Sequence, residues 1–86
     1  MNIMTKTKHM QQRMSQRGIT NDVIDFVINN GLIKQDKYYL NRNEILKMIA
    51  DTDKTRKILT KILDKGGVVV VADGENLITT YNFDHI

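Results

Sequence analysis

No cysteine occurs anywhere in the chain, so neither a disulfide nor a thiolate metal site can staple the fold. Proline is absent too, and there is no linker, internal repeat or low-complexity tract. The two histidines, His9 and His85, are far apart, which argues against a metal site; no cofactor is expected. No apolar run approaches the ~20 residues needed to span a bilayer. Lys6 and Lys8 near the start are not followed by an apolar signal-peptide segment. These absences predict a soluble, cytoplasmic chain with no membrane partner. A Walker loop, a dinucleotide-binding glycine motif and a nucleophile elbow are all missing, which removes the best-marked nucleotide-binding and hydrolase classes.

What is present fits one small domain spanning 1–86. Hydrophobic residues make up 41% and charged residues 27%, an ordinary globular balance with a modest core. The net charge of +3 permits an anionic partner such as nucleic acid or an acidic protein. Residues 5 to 17 read as a first helix closed by Gly18, with Ile3, Thr7, Met10 and Met14 forming its inward stripe. Thr20 is the expected cap of a second helix, with Asp22 in its first turn and Ile19 and Ile24 as a staple. Val23, Ile24, Val27 and Ile28 form its apolar face. Asn29-Asn30-Gly31 ends it, with Leu32 expected to fold back on Val27. The segments Leu32–Gln35 and Tyr38–Asn41 read as short strands around Asp36-Lys37. Asn43 is a candidate cap for a third helix carrying Ile45, Leu46 and Ile49. A break near Asp51-Thr52-Asp53 separates it from the face made by Ile58, Leu59, Ile62 and Leu63, which Gly66-Gly67 stops.

The clearest structural signal is Val68–Ala72, then Asp73-Gly74, then Leu77–Tyr81. Asp-Gly between two β-formers predicts a hairpin in which Val70 faces Leu77, Val69 faces Ile78 and Val68 faces Thr79. Four successive valines suggest a central strand covered on both faces. The expected fold is α+β: helices packed on a small antiparallel sheet that ends in a C-terminal β-hairpin.

His9, Arg13 and Arg17 recur every four residues, so on a helix they form one row that drifts by about 40° per step. An imidazole can take or give a proton near neutral pH, and guanidinium forks match phosphate oxygens. The same row is also what an ordinary polar helix edge looks like, with arginine stems covering apolar surface. Thr79 and Tyr81 share one face of the last strand and Thr80 takes the other. They are either a second wall of a cleft or residues chosen for β-propensity. Tyr38 and Tyr39 could stack on bases or simply fill a strand. His85 is a remote second acid–base candidate.

The opening motif, His9-Met10-x-x-Arg13-Met14-x-x-Arg17-Gly18-Ile19-Thr20, resembles a small bacterial family of unknown function. Its members open with His-Ala-x-x-Arg-Met-x-x-Arg-Gly-Ile and end in a valine-rich strand, a turn and an Ile-Thr-x-Tyr strand, here Ile78-Thr79-Thr80-Tyr81. Such proteins look like distant relatives of RelE-type toxins in the barnase–EndoU–colicin–RelE ribonuclease group. That resemblance implies a RelE/barnase-like fold and metal-independent RNA cleavage, in which the 2′-hydroxyl attacks the adjacent phosphate. His9 would then be the acid or base, Arg13 and Arg17 the phosphate clamps, and Thr79 and Tyr81 the groups that position or protonate the scissile site. Lys6, Lys8, Tyr38 and Tyr39 would contact RNA, ribosome-associated mRNA included. A cognate antitoxin protein would be the other partner. The pattern departs from those toxins at Met10, in the added helix between Asn43 and Lys65, and in an N-terminus with little room for a first strand.

Overall fold

A computed structural model describes residues 4–48 and 50–83. The order is β1 (Thr5–Lys6), α1 (Lys8–Arg17), α2 (Asn21–Asn30), β2 (Leu32–Lys34), β3 (Lys37–Asn41), α3 (Arg42–Leu46), α4 (Asp53–Asp64), β4 (Gly67–Asp73) and β5 (Asn76–Asn82). Among the described residues four helices pack on a five-stranded sheet of order β1-β5-β4-β3-β2. The α+β architecture is thus as expected, with one refinement: β1 runs parallel to β5, so the sheet is mixed. Two residues suffice for that first strand, because Thr5 and Thr7 donate backbone N–H bonds to the carbonyls of Glu75 and Leu77 (2.8 and 3.1 Å).

This pairing explains why α1 begins at Lys8 rather than residue 5. The Thr7 hydroxyl accepts the Met10 N–H at 3.1 Å, capping the helix. It also donates to the Leu77 carbonyl at 3.0 Å, which ties the cap to β5. At the other end Gly18 adopts the left-handed conformation (φ 65°) and its N–H reaches the Met14 and Ser15 carbonyls. Ile19 and Ile24 are both buried at the start of α2. Thr20 stands at the cap position of α2, but its hydroxyl goes to the Asp22 carboxylate and not to the backbone. The expected fold-back of Leu32 on Val27 does not form. Gly31 is extended (φ −77°), Leu32 is exposed, and a side chain at Gly31 would stand 2.4 Å from the Val27 carbonyl oxygen.

Asn41, not Asn43, caps α3, accepting the Glu44 N–H at 2.9 Å. The helix lasts five residues, and the expected break follows: Thr52 caps α4 by accepting the Thr55 N–H at 3.1 Å. Ile49, like Ile3 and His85, lies outside the described residues. β4 is central, and Val68, Val69 and Val70 are fully buried. The hairpin register differs from the one expected: Asp73 faces Asn76 and Ala72 faces Leu77, so Gly74 and Glu75 form the turn. A bulge then leaves Ile78 unpaired, and Val71, Val70 and Val69 face Thr79, Thr80 and Tyr81. Gly74 is now first in the turn, and of the two turn residues it alone is left-handed (φ 61°).

One face of the sheet meets the helices. Val68, Val70, Ala72, Leu77 and Leu40 join Met10, Met14, Val23, Ile24, Val27, Ile58, Leu59 and Ile62 in a single core. Val69 and Val71, pointing the other way, are outside that core cluster.

Candidate functional site

The His9 row is held by the two ends of α1. Met10 and Met14 are buried, which turns His9 and Arg13 to one flank of the helix. His9 is exposed and Arg13 half-buried. Arg13 Nε donates to His9 Nε2 across 3.5 Å, and Arg13 Nη1 donates to Gln16 Oε1 at 3.3 Å. In that arrangement Nε2 is the acceptor. The contact is long for a hydrogen bond, which leaves the ring free to turn. Arg17, exposed in the last turn, keeps its guanidinium free of ion pairs among the described residues. Its carbonyl accepts Lys65 Nζ at 2.9 Å. That bond brings a further cation to the end of the row. No local pattern in the sequence could have placed Lys65 there, because it comes from the end of α4.

Lys8 is exposed in the first turn of α1. Lys6 lines a hollow with Gln11, Met14 and Asn21. Gln11 lies about 100° round the helix from Met10 in the sense opposite to His9, so Lys6 borders the other flank of α1.

Thr79 and Tyr81 are not across a cleft from this row. Their register partners Val71 and Val69 point away from the helices, whereas α1 packs on the face carrying Leu77 and Thr80. Thr80 is fully buried and donates its hydroxyl to the Val69 carbonyl at 2.7 Å. The two sides approach each other only around the edge of β5. β1 pairs with Asn76 and Leu77 alone, and the Thr7 hydroxyl also reaches the Ile78 carbonyl at 3.3 Å, one residue before Thr79.

The outer face has its own organisation. Leu32, Tyr39, Val69 and Tyr81 form one row across four strands, and Lys34, Lys37, Val71 and Thr79 form the next. Phe83 stacks on Tyr39 with ring centroids 5.4 Å apart. Tyr38 faces the other way and packs against the core, so of the two adjacent tyrosines only Tyr39 belongs here. Lys34, Lys37 and Phe83 were not picked out from the sequence. Period-two alternation from Tyr39 to Lys37 and from Tyr81 to Phe83 would have found two of them.

Architecture and surface define a small α+β protein with a basic helix edge on one side of the sheet and an aromatic face on the other. Residues 7–82 match the model of DUF4258, a domain of unknown function, and the chain belongs to that family. No curated protein and no solved structure matches it. No helix among the described residues is long and apolar enough to cross a membrane.

Proposed function

We propose that this chain is a toxin-like, metal-independent endoribonuclease of a toxin–antitoxin system, acting in the cytoplasm and neutralised by a cognate antitoxin. The observation that carries the reading is the contact between the exposed imidazole of His9 and the guanidinium of Arg13, with Arg17 further along the same helix and Lys65, from the end of α4, bonded to its carbonyl. The resemblance to RelE-type toxins supports it.

In this mechanism Arg13 and Arg17 hold the scissile phosphate through charge-assisted forks and offset the charge that builds on it. His9, turned away from Arg13, takes the proton of the ribose 2′-hydroxyl through Nε2. The P–O2′ bond forms and the P–O5′ bond breaks. The departing 5′-oxygen takes a proton back from the imidazolium or from solvent, leaving a 2′,3′-cyclic phosphate. Thr79 and Tyr81, lying on the outer face, hold flanking nucleotides in this scheme, together with Tyr39.

The aromatic outer face also favours a second reading, a non-catalytic module that binds RNA or a protein. Incubation of labelled single-stranded RNA with the protein in EDTA separates the two. The nuclease reading expects cleavage that falls at least a hundredfold in His9→Ala and Arg13→Ala. Salt-sensitive binding without cleavage, unchanged in His9→Ala, would leave the binding module.

A further inference from the structure

At the end of the sheet where the β2–β3 and β4–β5 turns lie side by side is a hollow of about 330 Å³, lined by Ile33, Gln35, Asp36, Tyr38, Ala72, Asp73 and Gly74. Ile33, Tyr38 and Ala72 lie on the helix side of the sheet, but there the core stops short of Ile33, which is 68% exposed. The floor is therefore an aliphatic chain, a phenol ring and a methyl group. The rim holds one carboxylate from each turn. Asp36 is paired only with its neighbour Lys37 at 3.2 Å, and Asp73 has no ion pair among the described residues. These two carboxylates are the charged groups of the lining; Lys34 and Lys37 stand on β2 and β3 but in the row on the outer face.

The hollow adjoins a sheet edge. β2 pairs with β3 on one side, and no strand among the described residues pairs with its outer side. All three of its residues are exposed, including Leu32 at 42%. An edge with unpaired backbone groups and apolar side chains is a template for strand addition. Alternate residues of an added strand would face the hollow, where an apolar floor with an aromatic ring and an anionic rim fits a long aliphatic stem ending in a cation.

We propose that β2 and this hollow dock an extended segment of a partner polypeptide, which adds to the sheet and seats a lysine or arginine side chain between Asp36 and Asp73. The docking does not depend on the ribonuclease reading, so a protein inert towards RNA leaves it standing.

The test is an amide-resolved NMR titration of the full chain with two capped pentapeptides, acetyl-Thr-Val-Arg-Val-Thr-amide and its counterpart with glutamate at the centre. The arginine peptide is expected to shift the amides of residues 32–38 and 72–74. It should bind at least about fivefold more tightly than the glutamate peptide, and the Asp36→Asn/Asp73→Asn double variant should lose about fivefold in affinity. Both substitutions are at exposed positions, and the spectrum itself reports whether the variant is folded. Equal affinity for the two peptides, an unchanged double variant, or shifts confined to other residues would overturn the proposal. So would concentration-dependent broadening of β2 without peptide, which would give the edge to a second copy of the chain, or the same shifts produced by single-stranded RNA.

Discussion

Gly31 offers the sharpest test of how the fold is assembled. Its backbone is ordinary (φ −77°), so conformation alone would let alanine replace it. On that ground Gly31→Ala should stabilise by about 0.4–1 kcal/mol, through fewer unfolded states. Space decides otherwise. A Cβ there would lie 2.4 Å from the Val27 carbonyl oxygen and 2.8 Å from that of Tyr39. Both neighbours are backbone, and both are committed: Val27 accepts the Gly31 N–H at 2.7 Å, and Tyr39 lies in β3 beside β4. Neither can rotate away, so the Gly31 backbone must shift, out of its bond to Val27 to relieve the first contact and away from β3 to relieve the second. Overpacking of this kind costs about 1–3 kcal/mol, and the upper end applies where backbone must move. A net loss of about 2 kcal/mol lowers the melting temperature of a domain this size by roughly 10 °C. Gly74→Ala is the control. Nothing lies within 4 Å of a Cβ there, and the cost is that of a left-handed residue (φ 61°), about 1 kcal/mol. Thermal unfolding by circular dichroism reads both. A Gly31→Ala protein as stable as wild type, or less damaged than Gly74→Ala, would refute the close approach of the Gly31 backbone to the carbonyls of Val27 and Tyr39.

Thr80→Val keeps the volume but removes the hydroxyl bonded to the Val69 carbonyl at 2.7 Å; urea unfolding should show a loss of about 1 kcal/mol with an unchanged slope. The Thr20 hydroxyl beside Asp22 holds its carboxyl below the usual 3.8, against a partial burial that pushes it up, with Lys61 assisting at 3.3 Å. A lowered folded value means stability that is present above pH 3.8 and lost as the pH falls through the folded value. Asp22→Asn should therefore be less stable than wild type at pH 7, with the difference narrowing as the pH falls below 3.8. Because the side chain is 38% exposed, solvent screening keeps the difference near 0.5 kcal/mol. Tyr81→Ala, on the outer face, should weaken single-stranded RNA binding about tenfold in a fluorescence titration, and Tyr38→Phe, on the core side, should leave it unchanged.

The elements marked by local chemistry could be located from the sequence alone. Gly18 stops α1, the break before Asp53 is real, and Val68–Val70 run through the centre of the sheet. One difference is local, the Thr20 hydroxyl being taken by Asp22 two residues on, and most of the others come from partners distant in the chain. β1 exists because Thr5 and Thr7 find the carbonyls of Glu75 and Leu77 at the start of β5, some seventy residues on, which no local pattern encodes. Asn41 outcompetes Asn43 as a cap because β3 pairs with β4 up to Asn41, so the chain can turn into a helix only there. The hairpin slipped by one residue because the Ile78 bulge lets both Leu77 and Thr80 face the helices, which a regular strand could not do. The same bulge sets which residues share a face. Alternation grouped Thr79 with Tyr81 correctly, but which side α1 would cover depended on the packing of Met10 and Met14 against Leu77.

The ribonuclease reading is tested most directly with two matched oligonucleotides, one all-RNA and one with 2′-deoxyribose at every position, incubated with wild type and His9→Ala in EDTA. Wild type alone is expected to cut the RNA, leaving 2′,3′-cyclic phosphate ends, and to spare the deoxy strand, which has no 2′-hydroxyl to attack. A folded, antitoxin-free wild type that cuts neither strand, or one that cuts both equally, would contradict that reading.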